Sequence, residues 1–138
     1  MLTVDASVWV AAADGSDVFH AASRLFLAGA ARQRQGICLP SFAWIEIACA
    51  LARRRRDSAV GQQLASAILR APLVTRIELD DPFLAQTLVS GTRAFLRGAD
   101  ALYAATAAIH GAQLISWDDE LVRRAGAVTP TDWLAANP

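Results

Sequence analysis

Short apolar segments alternate with longer segments of helical periodicity along the whole chain, and this alternation restricts the fold more than any other feature of the sequence. The longer segments carry apolar residues every three to four positions, as in the stretch from Phe19 to Gly29. The short segments predict strands at 2–4, 37–39, 73–79, 113–116 and 127–129. Strands joined by helices predict an α/β domain whose parallel sheet is flanked by helices on both faces.

Helix boundaries follow from glycine, proline and capping residues at the ends of the periodic segments. These signals predict a first helix that ends near Asp14, and further helices at 19–34, 41–56, 58–71, 80–96, 100–110, 118–124 and 131–134. Gly98 is expected to separate two of these helices. No linker, repeat or change in composition divides the 138 residues, so we expect a single domain over 1–138.

The composition excludes some classes of protein. No apolar stretch approaches the ~18–20 residues that span a bilayer, and no basic segment precedes an apolar one at the N-terminus, so a cytoplasmic protein without membrane contact is expected. Hydrophobic residues make up 54% of the chain, an excess that suggests a partner subunit. We expect Trp9, Phe42 and Trp44 in the core, and Cys38 and Cys49 as buried free thiols.

Acidic residues follow two of the predicted strands. Asp5 and Asp118 lie just past strand ends, and the carboxyl ends of parallel strands are where ligands bind in such folds. Asp5, Asp118 and Asp100 each stand at a predicted helix start, so each is also a candidate N-cap. Capping explains an acid at each helix start, but it does not require these acids to meet.

Glu46 is harder to explain by local structure. Nearly all of its neighbours at 42–51 are apolar, and an ionised carboxylate buried among them costs several kcal/mol unless a charge pairs with it. Arg53 is too far along the helix for direct pairing. Asp100 similarly begins an alanine-rich helix with no cation expected beside it. These acids therefore point to a shared counter-charge.

Oxygen ligands without a set of His or Cys favour Mg²⁺ or Mn²⁺ over zinc; His20 and His110 are too scattered for a zinc site. Carboxylates packed together raise one another's pKa unless a cation is bound. A bound metal activates water and neutralises charge on a leaving oxygen, so a phosphodiester is the natural substrate. Ser7 and Ser116 are candidates to orient an acid or the water; both are also ordinary hydroxyls at a helix start and a strand end.

Four segments together resemble a known family. They are VDAS at 4–7, EIA at 46–48, GADALYAATA at 98–107 and LISWD at 114–118. Their order and spacing resemble the signature segments of PIN-domain nucleases, and TPTDWL at 129–134 resembles the usual ending of that family. The resemblance covers essentially the whole chain, whose small size is similar to that of VapC toxins. Each segment alone is a weak motif, but four in order are specific.

The resemblance implies an Mg²⁺- or Mn²⁺-dependent endoribonuclease. It implies a toxin of a type II toxin–antitoxin pair, homodimeric and held inactive by a small antitoxin protein. The family's acidic quartet falls on Asp5, Glu46, Asp100 and Asp118, with Asp5, Asp100 and Asp118 as metal ligands. Its frequent hydroxyl positions fall on Ser7 and Ser116. Asp119 and Glu120 follow the fourth acid directly, and either is a further candidate to reach the metal, directly or through water.

Arginines are the candidates for RNA contacts, because all thirteen cationic residues are Arg. The net charge is zero, so only a local cluster of arginines could favour RNA. Arg93 and Arg97, four apart and just before Asp100, are expected to share a helix face and to contact phosphates. The Arg53–Arg56 run is better explained as cations that complement a helix C-terminus.

Two other functions remain open from the sequence. One is a PIN-type nuclease that acts in RNA processing, or on DNA, without an antitoxin. The other is a non-catalytic α/β binding module whose acids are only helix caps. A metal-dependent phosphatase fits less well, because the chain lacks a recognisable Asp nucleophile loop.

Overall fold

The computed structural model describes residues 1–138. Its strands are β1 (Leu2–Val4), β2 (Ile37–Pro40), β3 (Val74–Ile77) and β4 (Gln113–Ile115). Its helices are α1 (Ala6–Ala13), α2 (His20–Arg32), α3 (Ala43–Arg55), α4 (Ser58–Leu69), α5 (Asp81–Arg93), α6 (Gly98–Ile109), α7 (Asp119–Ala125) and α8 (Pro130–Ala136). All strand pairs are parallel, in the order β3-β2-β1-β4. The predicted α/β fold with a parallel sheet is confirmed.

The central strands of the sheet, β1 and β2, are mostly apolar and buried, whereas β3 at one side is partly exposed. All residues of β1 and β2 are buried, as expected for parallel strands covered by helices. β1 pairs with β2 on one side and with β4 on the other, so it is a central strand of the sheet. Because β1 and β4 are parallel, their carboxyl ends lie at the same edge of the sheet. Residues that directly follow β1 and β4 therefore emerge side by side.

Helix packing completes the core. Trp133 on α8 is 2% exposed and packs edge-on against Phe26 on α2, with ring centroids 5.1 Å apart. Helices α3 and α4 approach closely at Gly61, where an added Cβ would lie 2.4 Å from the carbonyl oxygen of Ala48. Glycine is therefore required at this contact, which holds α3, the helix that carries Glu46. None of the helices combines the length and the apolar character needed to cross a membrane.

Two expectations about strands need correction. Residues 127–129 do not form a strand: Val128 makes a single parallel bridge to Ile115. The segment is too short to extend, because Gly126 ends α7 in a left-handed conformation and Thr129 already caps α8. The strand expected at 73–79 is confined to Val74–Ile77, since Asp80 caps the start of α5.

The expected burial of aromatic and cysteine side chains holds only in part. Trp9 and Cys38 are buried, but Cys49 is exposed and Trp44 is 42% exposed. Helix α3 buries a narrow stripe consisting of Ala43, Ile47 and Leu51. Trp44 and Cys49 lie off that stripe, so a helix of mostly apolar residues still presents apolar side chains to solvent.

Candidate active site

The four acidic residues come from four separate parts of the chain. Asp5 directly follows β1, and Asp118 follows β4 after two residues. Because β1 and β4 are neighbouring parallel strands, both side chains lie at the carboxyl edge of the sheet. Asp100 and Glu46 are contributed by the first turns of α6 and α3.

Asp5 is held by two hydroxyl groups. Its Oδ2 atom accepts hydrogen bonds from the Ser7 hydroxyl at 2.5 Å and from the Ser116 hydroxyl at 2.9 Å. The same oxygen accepts from the backbone N–H of Ser7 at 3.3 Å, so Asp5 also caps α1. All three bonds fall on Oδ2, which leaves Oδ1 free to bind a cation. Both serines therefore lie beside the acid, as the sequence predicts.

The guanidinium of Arg97 bridges Asp100 and Asp118. Its Nε donates to Asp100 Oδ2 at 2.6 Å, and its Nη2 donates to Asp118 Oδ2 at 2.5 Å. Nε also lies 3.3 Å from Glu120 Oε2. The expectation that Asp100 has no cation beside it is wrong, because Arg97, three residues earlier, turns back across the start of α6.

Asp100 is not a helix cap, contrary to one of the expectations above. Helix α6 begins at Gly98, so this glycine does not separate two helices, and the N-cap position belongs to Arg97. Asp100 is the third residue of the helix and is 8% exposed. Asp118, in contrast, does cap α7 through Oδ1, which accepts from the backbone N–H groups of Glu120 and Leu121. Its other oxygen faces Arg97.

Glu46 has a partner that sequence reasoning missed. The hydroxyl of Tyr103, a residue 1% exposed, donates to Glu46 Oε2 at 2.7 Å. Tyr103 lies on α6 three residues after Asp100, and this spacing places both side chains on the same face of a helix. The spacing was therefore an available signal for a third polar group on α6 beside the acids.

Shifted pKa values show that the carboxylates act on one another. Burial raises the pKa of Glu46, and the charges of Asp5 and Asp100 raise it further, against the lowering effect of the Tyr103 hydrogen bond. Burial also raises the pKa of Asp100, which Arg97 lowers and the charges of Asp118 and Asp5 raise. For Asp118, burial is outweighed by the hydrogen bonds from Arg97 and the backbone, which lower its pKa. The four acids thus form one electrostatic cluster.

We expect Glu46→Gln to raise the Tm of the metal-free protein by a few degrees near pH ~7.5. The pKa of Glu46 is raised in the folded state, so the folded state favours the protonated side chain. This contribution to the free energy of unfolding is fully present below about pH 4.5 and is lost as pH rises through the folded-state pKa. Gln stays neutral, so the gain in Tm should shrink towards pH 4.5. Thermal melts across this range measure it.

The matched control is Glu78→Gln, which makes the same change at a side chain that is 70% exposed. This variant should alter the Tm little, because exposed ion pairs contribute little to stability. A lower Tm for Glu46→Gln than for wild type at neutral pH would show that the site favours the ionised form and would contradict the prediction.

The arginines differ from what the sequence suggested. Arg93 is the last residue of α5, whereas Arg97 lies beyond a turn in which Phe95 takes a left-handed conformation with φ 54°. The two therefore do not share a helix face. Arg97 points into the acidic cluster, and Arg93 is exposed and forms no ion pair. The side chain of Asp119 is exposed, and Glu120 takes the place beside Arg97.

Two arginines of the run at the end of α3 make contacts within the fold. Arg54 Nη1 pairs with Asp14 at 3.0 Å and with Asp17 at 2.6 Å. Arg55 donates to the carbonyl oxygen of Ala13 at 2.8 Å. These contacts tie the end of α3 to the loop between α1 and α2, which lies next to Ser7.

In the conformations that these side chains adopt, no group of three or more His, Cys, Asp or Glu has the spacing of a metal-binding set. Arg97 holds one oxygen each of Asp100 and Asp118, and the serine hydroxyls hold one oxygen of Asp5. The arrangement can bind a positive charge between carboxylates, because it already holds a guanidinium there.

Comparisons with known proteins agree with this architecture. The sequence matches the PIN domain family over residues 2–127. The structure of Mycobacterium tuberculosis VapC20, a toxin that cleaves the sarcin–ricin loop, is similar with a TM-score of 0.79 and 20% identity, covering 93% of this chain and 97% of that one. No curated protein sequence matches the chain.

Two further structures have the same fold. A toxin–antitoxin complex from Klebsiella pneumoniae matches with a TM-score of 0.68 and 16% identity over 94% of this chain and 98% of that one. VapBC2 from Rickettsia felis, bound to a promoter DNA fragment, matches with a TM-score of 0.66 and 14% identity, covering 93% of this chain and 96% of that one. The family match spans nearly the whole chain, and the neighbours share its fold; this chain belongs to the PIN domain family.

Proposed function

We propose that this chain is an endoribonuclease of the VapC type, the toxin of a type II toxin–antitoxin pair, which hydrolyses RNA with Mg²⁺ or Mn²⁺. The observation that carries the proposal is the convergence of Asp5, Glu46, Asp100 and Asp118 at one edge of the sheet. Two structural neighbours support it: one is described as a toxin that cleaves the sarcin–ricin loop, and the other is a toxin–antitoxin complex.

The donor set suits Mg²⁺ or Mn²⁺. Asp5, Asp100 and Asp118 would hold the ion, since all three offer carboxylate oxygens and no His or Cys lies among them. Oδ1 of Asp5 and Oδ1 of Asp100 make no hydrogen bond in the fold and are free for this purpose. When bound, the metal supplies charge neutralisation and lowers the pKa of a coordinated water.

The chain's own groups then have separate tasks. Ser7 and Ser116 fix one oxygen of Asp5 and so direct the other towards the site. The Tyr103 hydroxyl fixes Oε2 of Glu46, which leaves Oε1 to accept a proton from the attacking water. The raised pKa of Glu46 makes it a stronger base than an exposed carboxylate.

The proposal includes two protein partners, a small antitoxin and a second copy of the chain. Large apolar side chains remain exposed on several helices, and such surface favours association. They include Trp44, Ile45, Leu84, Leu88 and Val89. For the RNA backbone, Arg93 is an exposed cation without an ion pair and is the candidate phosphate contact.

Removal of divalent metal tests the proposal. We expect EDTA to lower the rate of RNA cleavage by at least roughly a hundredfold, and excess Mg²⁺ or Mn²⁺ to restore it. The same ions should raise the Tm, because a ligand that binds only the folded state stabilises it. Cleavage of a labelled RNA and thermal melts, each with and without EDTA, give both results.

The outcomes separate the alternatives. A protein that neither cleaves RNA nor gains stability with metal would be a non-catalytic binding module. A metal-dependent RNase that copurifies with no small protein when expressed with its neighbouring genes would be an antitoxin-independent nuclease. Cleavage that persists undiminished in EDTA would contradict the role of the metal.

A further inference from the structure

A cleft adjoins the carboxylates between the α1–α2 loop and the turn that follows β4. Its volume is about 520 Å³, within the range of roughly 300–1,000 Å³ typical of small-ligand sites. Ser7 and Asp118 line the cleft at the acidic cluster, and the remainder is lined by Phe19, Trp117 and Arg54 together with Ser16, Asp17 and Val18. The cleft is therefore continuous with the proposed active site and shares two of its residues.

Two stacked aromatic rings line this cleft. The rings of Phe19 and Trp117 have centroids 4.2 Å apart and planes inclined by 11°. Trp117 is fixed, because its indole N–H donates to the Ser23 hydroxyl at 2.8 Å and its backbone N–H donates to the Ser7 hydroxyl at 3.2 Å. Phe19 remains 41% exposed although one face rests on Trp117. The fixed indole of Trp117 thus supports the ring of Phe19, part of which is open to solvent.

We propose that this cleft binds a nucleobase of single-stranded RNA, the base that flanks the scissile phosphate, by stacking on Phe19. This inference rests on the proposed nuclease function and adds a base-binding subsite to it. Aromatic rings are stacking platforms for bases that have left a duplex. A base held on Phe19 would occupy the same cleft as Asp118, one of the four acids of the proposed site.

The cleft holds one cationic side chain, Arg54, beside the carboxylates of Asp17 and Asp118. Arg54 pairs with Asp14 and Asp17 through Nη1 alone, so its other guanidinium N–H groups are free to donate. They can donate to base or ribose oxygens that enter the cleft. The position of Arg54 is set by these two ion pairs, which makes it a fixed donor group.

The test compares Phe19→Leu with Phe19→Tyr in steady-state cleavage of a single-stranded RNA that the wild type cleaves. Leu keeps an apolar side chain but removes the aromatic face, so KM should rise by roughly tenfold with kcat nearly unchanged. Tyr keeps the ring and should behave as wild type. Phe95→Leu is the matched control, because it makes the same change at a ring that is 77% exposed and lies outside the cleft.

A second arm replaces the bases that flank the cleaved bond, one at a time, by abasic ribose. At one position the abasic RNA should raise the KM of the wild type by a similar factor and have no further effect on Phe19→Leu. An unchanged KM for Phe19→Leu, or equal losses at all positions in both proteins, would overturn the base subsite while cleavage by the wild type stands. Absence of wild-type cleavage would instead overturn the proposed function.

Discussion

Asp100→Asn is expected to lower kcat for RNA cleavage by roughly a thousandfold, the largest effect that we predict for a single substitution. Asn keeps the size and shape of the side chain but removes the negative charge and one carboxylate oxygen. Asp100 sits in the first turn of α6, where its charge acts on both Glu46 and Asp118. The loss should therefore appear in kcat at saturating metal and RNA.

The same substitution should leave the metal-free fold at least as stable as wild type. Burial raises the pKa of Asp100 despite the ion pair with Arg97, so the folded state disfavours its charged form at neutral pH. A neutral Asn removes that cost, together with repulsion from Asp118 and Asp5. Thermal melts in EDTA near neutral pH measure this part of the prediction and separate catalysis from folding.

Asp81→Asn is the matched control, since Asp81 also lies in the first turn of a helix but is exposed. This variant should cleave RNA at the wild-type rate. Full activity in Asp100→Asn would contradict the assignment of Asp100 to the site. Loss of activity accompanied by a large drop in Tm would show that the substitution acts through the fold.

Much of the site was predictable because the positions of its acids follow from local rules. Strand ends place Asp5 and Asp118 at the sheet edge, and the apolar surroundings of Glu46 mark it as an acid that needs a partner. The sequence offers helix capping and site formation as two explanations for Asp118. They coexist, because a carboxylate has two oxygens: Oδ1 caps α7 and Oδ2 faces Arg97.

Other features depend on tertiary structure that a single sequence does not encode locally. The path of the chain from α5 to α6 is set by the left-handed turn at Phe95, which sends Arg97 towards the acids instead of along a helix face. The exposure of Trp44 depends on which stripe of α3 the fold buries. The pairing of Phe19 with Trp117 joins residues that are far apart in the chain, so composition and periodicity gave no sign of it.

Arg97→Gln is expected to bind Mn²⁺ roughly tenfold more tightly than wild type does, as measured by calorimetric titration without RNA. In the metal-free fold the guanidinium joins Asp100, Asp118 and Glu120, which raises the pKa of Arg97. A divalent ion that uses the same carboxylates must displace this cation or bind beside it, and both cost free energy. Gln keeps hydrogen-bonding capacity but removes the competing charge.

Arg93→Gln makes the same change at an exposed arginine four residues earlier that forms no ion pair. If each arginine only contributes to a general positive potential, its removal should strengthen Mn²⁺ binding in both variants. If Arg97 competes directly with the ion for the carboxylates, binding should strengthen in Arg97→Gln alone. Equal or weaker Mn²⁺ binding by Arg97→Gln would show that the ion does not use Asp100 and Asp118, even if RNA cleavage depends on metal. The comparison therefore tests which carboxylates hold the ion, a question that loss of activity in an acid-to-amide variant does not answer.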